Sequence, residues 1–363
     1  MDRENKKLPL KNIIFRIVNI ILVSGLGIFL VYYLLSRINI SDLKSAFLGI
    51  YIPSLVIGLV LMFSIDFFKA LRQNLLLGKD KVRFGDMFII SLIRNAFNMV
   101  LPARTGELSY VYVLKRKFKV PVEIGVSTLA IGLIFDLIII FSMIIISIII
   151  VGVNRYQISS VNIILIATIL LAAVLILLFF LSKIISIFIR LFEAIFKKYG
   201  KIKNRKVLFY IYEKLIEVNK SIVIIQKRRI YWKVYLLSVA TRILKFTSYY
   251  FLIHATLHPM GYTFAELSFW VIFLATVAAE LSAVLPTHAI AGFGTYEGAF
   301  ALAFIALGFS EEISIIVGFN YHIINLLETI VLGIIAMVLI SMPFYKIRLQ
   351  KEQDRKTKEY DYK

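Results

Sequence analysis

The sequence predicts an all-α polytopic membrane protein, with six spanning helices and two re-entrant helical hairpins in an inverted-topology repeat. Three observations predict it. Six apolar segments are each long enough to cross a bilayer, Lys and Arg cluster in a pattern that fixes orientation, and a Leu-Pro break followed by Gly and Glu occurs twice. Composition agrees: 60% of the 363 residues are hydrophobic and 18% charged, with a mean hydropathy of +0.85, where a soluble domain averages about a quarter charged. A soluble globular enzyme and a disordered basic tail are both excluded. The 42 Lys and Arg against 22 Asp and Glu give a formal charge of +20. Nucleic-acid proteins also reach such values, but not with membrane-length apolar runs, so no nucleic-acid partner is expected. With zero Cys, disulfides, thiolate zinc sites, iron–sulfur clusters and a cysteine nucleophile are excluded.

A crossing helix needs about 20 mainly apolar residues. The qualifying segments are Ile17–Leu35, Ile50–Leu71, Ile124–Val153, Val161–Leu181, Val234–Leu257 and Ile313–Met342. The first follows Arg3, Lys6, Lys7, Lys11 and Arg16 and resembles a signal peptide at its start. Its apolar run is too long and no small-residue cleavage site follows, so it reads as an anchor. Two further stretches are short or interrupted: Phe84–Leu101, with Asp86, Arg94, Asn95 and Asn98, and Leu267–Leu285, with Glu280. Each ends in a proline, Pro102 or Pro286.

The distribution of Lys and Arg sets the orientation. The N-terminal tail has five, Lys69–Arg83 five, Lys115–Lys119 four, Lys183–Lys233 fourteen and the tail from Lys346 seven, while the other loops hold only Arg37, Lys44 and Arg155. All clusters share one side only if Phe84–Leu101 dips in and its successor returns, and if Leu267–Leu285 dips in from the opposite face. Both termini are then cytoplasmic, in the cell membrane. The chain reads as one membrane domain: 50–153 the first repeat, 183–233 a basic amphipathic cytoplasmic connection, 234–343 the second, inverted repeat, and 344–363 a cytoplasmic tail. In the connection, Leu208, Ile211, Tyr212, Leu215 and Ile222 recur at helical spacing, as in a helix lying on an anionic leaflet. The same residues fit a solvated linker between the halves. The closing Asp361-Tyr362-Lys363 matches the start of a common epitope tag and carries no weight.

Val100-Leu101-Pro102 recurs as Val284-Leu285-Pro286. Ala103, Arg104, Thr105, Gly106 and Glu107 follow the first; Gly292, Gly294 and Glu297 follow the second. Asp136 lies 29 residues beyond Glu107, and Glu328 lies 31 beyond Glu297, each inside a span. Proline removes an N–H and frees the carbonyls of Asn98 and Ser282 four residues earlier, and the glycines permit turns closed to other residues. The new helix starts aim N–H groups at a cavity, which favours an anion such as phosphate, and broken backbone survives at membrane depth only where protein or a water-filled cavity covers it. Two ordinary Pro-kinked helices are the plainer reading; the recurrence, each time with a Glu behind it, argues against it. Transporters built as inverted repeats hold substrate near the midplane at such breaks.

Asp136, Glu328, Arg242 and Lys245 fall near span centres, the last two on one face with Tyr249 a turn on. Each such charge costs about 3 kcal/mol and the four together on the order of 10 kcal/mol, so they are paired or hydrated. Either they pair as structural glue, Arg242 and Lys245 with Asp136, Glu280 or Glu328, or they line a polar cavity for a head group with phosphate and an amine. Arg104 and Glu107 are the next candidates; Asp66 and Lys69 read as interfacial. His254 and His258 share a face, but no third ligand is visible and Pro259 ends the helix, so no metal is expected. His288 and His322 are candidate proton carriers, with packing the plainer role. No phosphate-binding P-loop, His-Glu-x-x-His or Asp-x-Asp signature occurs. No cofactor is expected, and uphill transport would need an ion gradient.

The run Asn98-Met99-Val100-Leu101-Pro102-Ala103-Arg104-Thr105-Gly106-Glu107, then Asp136, and the later Leu285-Pro286 with Gly292, Gly294, Glu297 and Gly298, resemble the lysylphosphatidylglycerol synthase transmembrane-region family, over roughly residues 10 to 345. That family includes the membrane half of the bacterial multiple peptide resistance factors, so the resemblance implies a lipid flippase fold rather than an enzyme. The chain ends soon after its last span, so the family's soluble aminoacyl-transfer domain, and with it lipid synthesis, is not expected. The phosphate of a phospholipid substrate is then expected at Arg104, Arg242, Lys245 and the helix starts, and an amine or cycling protons at Glu107, Glu297, Asp136 and Glu328, with Glu280 in the same pocket. Two alternatives stand beside it: an intramembrane lipid-modifying transferase with Glu107 or Glu297 as base, and a membrane partner presenting lipid to a separate synthase. Membrane lipids are expected neighbours, and a homo-oligomer is left open.

Overall fold

In the computed structural model the residues described are 25–78, 82–101, 105–151, 160–198, 206–282, 290–343, 345, 347 and 348. All regular structure among them is helical. In chain order the helices are α1 (Gly25–Leu35), α2 (Ile40–Leu48), α3 (Ile52–Leu77), α4 (Phe84–Val100), α5 (Glu107–Phe118), α6 (Val122–Val151), α7 (Ser160–Lys198), α8 (Lys206–Lys227), α9 (Tyr231–Leu257), α10 (Phe269–Ser282), α11 (Thr295–Ala306) and α12 (Glu311–Ser341). By length and composition α3, α6, α9 and α12 can each cross a bilayer. Two bent pairs, α1 with α2 at 88° and the two parts of α7 at 65°, bring the number to six if each is one span. Residues 17–24 of the first expected span lie outside the described residues.

The helix boundaries follow local chemistry. Pro53 sits in the first turn of α3, where its missing N–H costs nothing. Ser310 caps α12, its hydroxyl accepting from the Ile313 N–H at 3.4 Å. Lys115, Arg116 and Lys117 fill the last turn of α5, the favourable end of the helix dipole for cations. α3 runs beyond the expected Leu71 to Leu77, carrying Arg72, Gln73 and Asn74 into the buried interior.

The broken regions are partly outside the described residues, which exclude Pro102, Arg104, Pro286 and His288. What flanks them is described. α4 stops at Val100, and Leu101 is extended at φ −87° and ψ 139°, as a residue before proline must be. Gly106 differs from expectation: its backbone is ordinary right-handed helix, and what it supplies is space, since a Cβ there would stand 2.2 Å from the Asn98 backbone nitrogen. Gly294 meets both demands. Its φ is +85°, and a Cβ would lie 2.6 Å from the Gly27 carbonyl oxygen of α1.

Two runs of elements share one order. α3, α4, α5 and α6 are long, short, short and long, and so are α9, α10, α11 and α12. The runs interlock. α3 packs along α9, with Leu252 filling the notch at Gly58 and Ser248 Oγ donating to the Gly58 carbonyl at 2.8 Å. α4 packs along α12, with Ala96 against Gly333. An apolar core built from Phe246, Leu252, Phe273, Phe300, Val317 and Tyr321 joins α9 to α12. α8 folds back on α6 and α7: Lys214 pairs with Glu123 at 3.5 Å and Asn219 donates to Ser186 at 3.0 Å. Its expected apolar stripe is only partly buried, since Ile222 is covered while Ile211 is 41% exposed.

Candidate functional site

A cavity of about 200 Å³ lies inside the bundle, and helical periodicity explains how an apolar chain builds it. On α3, Asp66, Lys69, Arg72 and Gln73 recur every three to four residues and share one face. On α12, His322, Asn325, Glu328 and Thr329 repeat that spacing. α4 supplies Arg94, Asn95 and Asn98; α9 supplies Arg242, Lys245 and Tyr249. Glu107 at the start of α5, Asp136 of α6, Glu280 of α10 and Tyr296 of α11 complete the wall.

One half of the wall is a closed ionic ladder. Arg72 donates from Nη1 to Asp136 Oδ1 at 2.6 Å and from Nη2 to Oδ2 at 3.2 Å, and its Nη1 also reaches Ser238 at 2.8 Å. Arg242 Nη2 meets the same carboxylate at 3.1 Å, and its Nη1 meets Glu280 Oε2 at 3.5 Å. Lys245 pairs with Glu280 and lies 5.4 Å from the Tyr249 ring centre. Arg72 is 3% exposed, Arg242 7%, Glu280 7% and Asp136 9%. At such burial an unpaired charge is expensive, so alternating sign is what lets these residues stay buried.

The other half is loosely tied. Asp66 accepts from the Asn95 amide, and Glu107 Oε1 accepts from Asn98 Nδ2 at 2.8 Å. The nearby cations stand further off: Lys69 Nζ is 3.9 Å from Asp66, and Arg94 Nε is 3.8 Å from Glu107 Oε2. Among the described residues Glu328 holds only the Thr329 hydroxyl at 3.2 Å through Oε2, while its buried Oε1 has no hydrogen-bond partner. Behind the wall, Glu297 is fully buried; Oε2 accepts the Gly294 N–H at 2.7 Å and Oε1 meets His322 Nδ1 at 2.6 Å.

Of the residues the sequence nominates, Asn98, Glu107, Asp136, Arg242, Lys245, Glu280 and Glu328 line one cavity. Glu297 reaches it only through His322, and Arg104, Pro102 and Pro286 lie outside the described residues. Arg242 and Lys245 are paired with Asp136 and Glu280, as the glue reading has it. Asp66 and Lys69, expected to be interfacial, stand on the cavity wall. Sequence reasoning missed Arg72 because the span was ended at Leu71, and missed Arg94 because it counted only as an interruption. The signal was available: Asp66, Lys69 and Arg72 are spaced for one helical face. His254 donates to or accepts from Ser54 Oγ at 2.9 Å and stacks on Phe264 at 3.6 Å, while His258 stacks on Tyr51 at 4.0 Å. Among the described residues no group of three His, Asp or Glu side chains is placed to hold a metal ion.

A search of curated proteins returns no match. The family model described as "Lysylphosphatidylglycerol synthase TM region" matches residues 17–333, which contain every wall residue of the cavity. The chain therefore belongs to the lysylphosphatidylglycerol synthase transmembrane-region family, a family of lipid-related membrane proteins.

Proposed function

We propose that the chain is a transporter-type phospholipid translocase, a flippase that works without hydrolysing ATP. The observation that carries this reading is the cavity itself: ionic groups of both signs around about 200 Å³ of space, enclosed by helices apolar enough to span a bilayer. A head group would travel through that space while its acyl chains stay in the hydrocarbon. The two runs of like element order would be oppositely oriented, as the basic clusters require, and their rocking would open the cavity to each side in turn. The ladder joins α3 and α6 of one run to α9 and α10 of the other, so Arg242 would exchange partners during that motion. Arg104, three residues before Glu107 in the sequence, would meet the lipid as it enters. Vesicles test the proposal. Fluorescent phospholipid should cross between leaflets faster with reconstituted protein than without it, and Arg242→Ala should slow the crossing at least several-fold. No acceleration across a broad panel of head groups sinks it.

One observation favours a second reading, an intramembrane lipid-modifying transferase. The Glu297 carboxylate orients the His322 imidazole at 2.6 Å, and His322 faces the cavity, an arrangement suited to proton transfer. Turnover of a labelled lipid donor by purified protein, lost in His322→Gln, would select it over transport.

A further inference from the structure

We infer that Arg94, with Lys69 on the same cavity wall, is the anion anchor of this protein, and that the group it holds is the phosphate of a lipid head group; this rests on the cavity being the head-group site proposed above. The cations described on the cavity wall differ in how tightly carboxylates hold them. Arg72, Arg242 and Lys245 are each engaged with a carboxylate in the ladder. Lys69 and Arg94 hold only longer ion pairs, to Asp66 at 3.9 Å and to Glu107 at 3.8 Å, beyond hydrogen-bonding range.

The local sequence explains the gap. In Arg94-Asn95-Ala96-Phe97-Asn98 the two amides lie three residues apart on α4, next to the arginine. Asn95 binds Asp66 and Asn98 binds Glu107. Neutral amides thus satisfy one oxygen of each carboxylate, and each cation keeps only a longer ion pair. Arg94 is only 4% exposed, its Nε is buried without a hydrogen bond, and its guanidinium lies 5.7 Å from the Tyr110 ring centre. A buried guanidinium with an unsatisfied Nε and only a long ion pair is costly. A phosphate supplies several acceptors, in the geometry a guanidinium fork matches, with an ammonium adding a point charge beside it. Glu107 Oε2, also without a hydrogen bond, favours a ligand that brings a donor alongside the phosphate, such as a head-group hydroxyl or amine.

The test is binding by the purified full-length protein in detergent, with three probes: dihexanoylphosphatidylglycerol, inorganic phosphate and uncharged dihexanoylglycerol. The wild type should bind the phospholipid. Arg94→Gln and Lys69→Gln should each weaken that binding tenfold or more and leave dihexanoylglycerol unchanged, and Arg94→Lys should recover part of the loss. Folded variants that bind the phospholipid like wild type overturn the anchor. Binding of inorganic phosphate without the phospholipid overturns its assignment to lipid. If Arg94→Gln fails to fold, Lys69→Gln decides alone, its side chain being 22% exposed and less built into the packing. Failure of the translocase reading looks different: binding lost in both variants, with no lipid movement by wild type in vesicles, leaves the anchor standing and removes the transport.

Discussion

At the scale of single residues, Asp136 is the member of the ladder whose loss does the most. It takes two hydrogen bonds from Arg72 and a third contact, at 3.1 Å, from Arg242. Removing its charge leaves two guanidinium groups buried with too few acceptors, and breaking a buried pair from one side costs about 3–5 kcal/mol. Asp136→Asn is therefore expected to lower the melting temperature of the purified protein by many degrees. Arg72→Gln combined with Asp136→Asn should recover part of the loss, because one of the stranded charges leaves with its partner. A double variant no more stable than Asp136→Asn alone would show that the ladder does not act as a unit. The same comparison separates ladder from anchor, since Lys69 has no hydrogen-bonded carboxylate to strand and Lys69→Gln should scarcely shift the melt.

At the scale of elements, the contact between α4 and α12 decides whether the cavity keeps its shape. A Cβ placed on Gly333 would sit 2.2 Å from the Ala96 Cβ, so any side chain must push the helices apart. Overpacking of this kind costs about 1–3 kcal/mol. Gly333→Leu is expected to destabilise by that amount and to slow lipid movement, whereas the neighbouring lipid-facing change Ile334→Leu should do neither, Ile334 being 51% exposed. Such a contact was not legible in the sequence. What the chain does announce is whatever hydropathy and periodicity encode: five of the six expected spans fall within observed helices to within a few residues, and the short helix α4 ends at the first Leu-Pro break. Which charges pair is decided by rotation and crossing of helices distant in sequence. Hence Arg72, 64 residues from Asp136, escaped notice, and the place of Asp66 and Lys69 on the cavity wall was not foreseen. Glu297 has a place in the fold beside the role expected of it. Its position three residues after Gly294 marks a helix cap, and capping with His322 is how the structure uses it.

At the scale of the whole molecule, the lengths of the short helices argue for hairpins rather than crossings. At 1.5 Å per residue the 17 residues of α4 span about 26 Å and the 12 of α5 about 18 Å, each below the roughly 30 Å of a hydrocarbon core. Laid end to end they would carry Lys115–Lys119 to the face opposite Lys69–Arg83, separating two basic clusters that the bias of Lys and Arg keeps together. α10 and α11, with 14 and 12 residues, are short in the same way, and the loop before α10 holds no Lys or Arg. The chain has zero Cys, so one introduced thiol reports one position. In intact cells a membrane-impermeant maleimide should label Ala265→Cys, exposed ahead of α10, and should miss Arg116→Cys, exposed at the end of α5, until the cells are opened. Labelling of Arg116→Cys from outside would make α4 and α5 a single crossing. It would put the second break on the same side as the first and remove the opposed orientation on which alternating access depends.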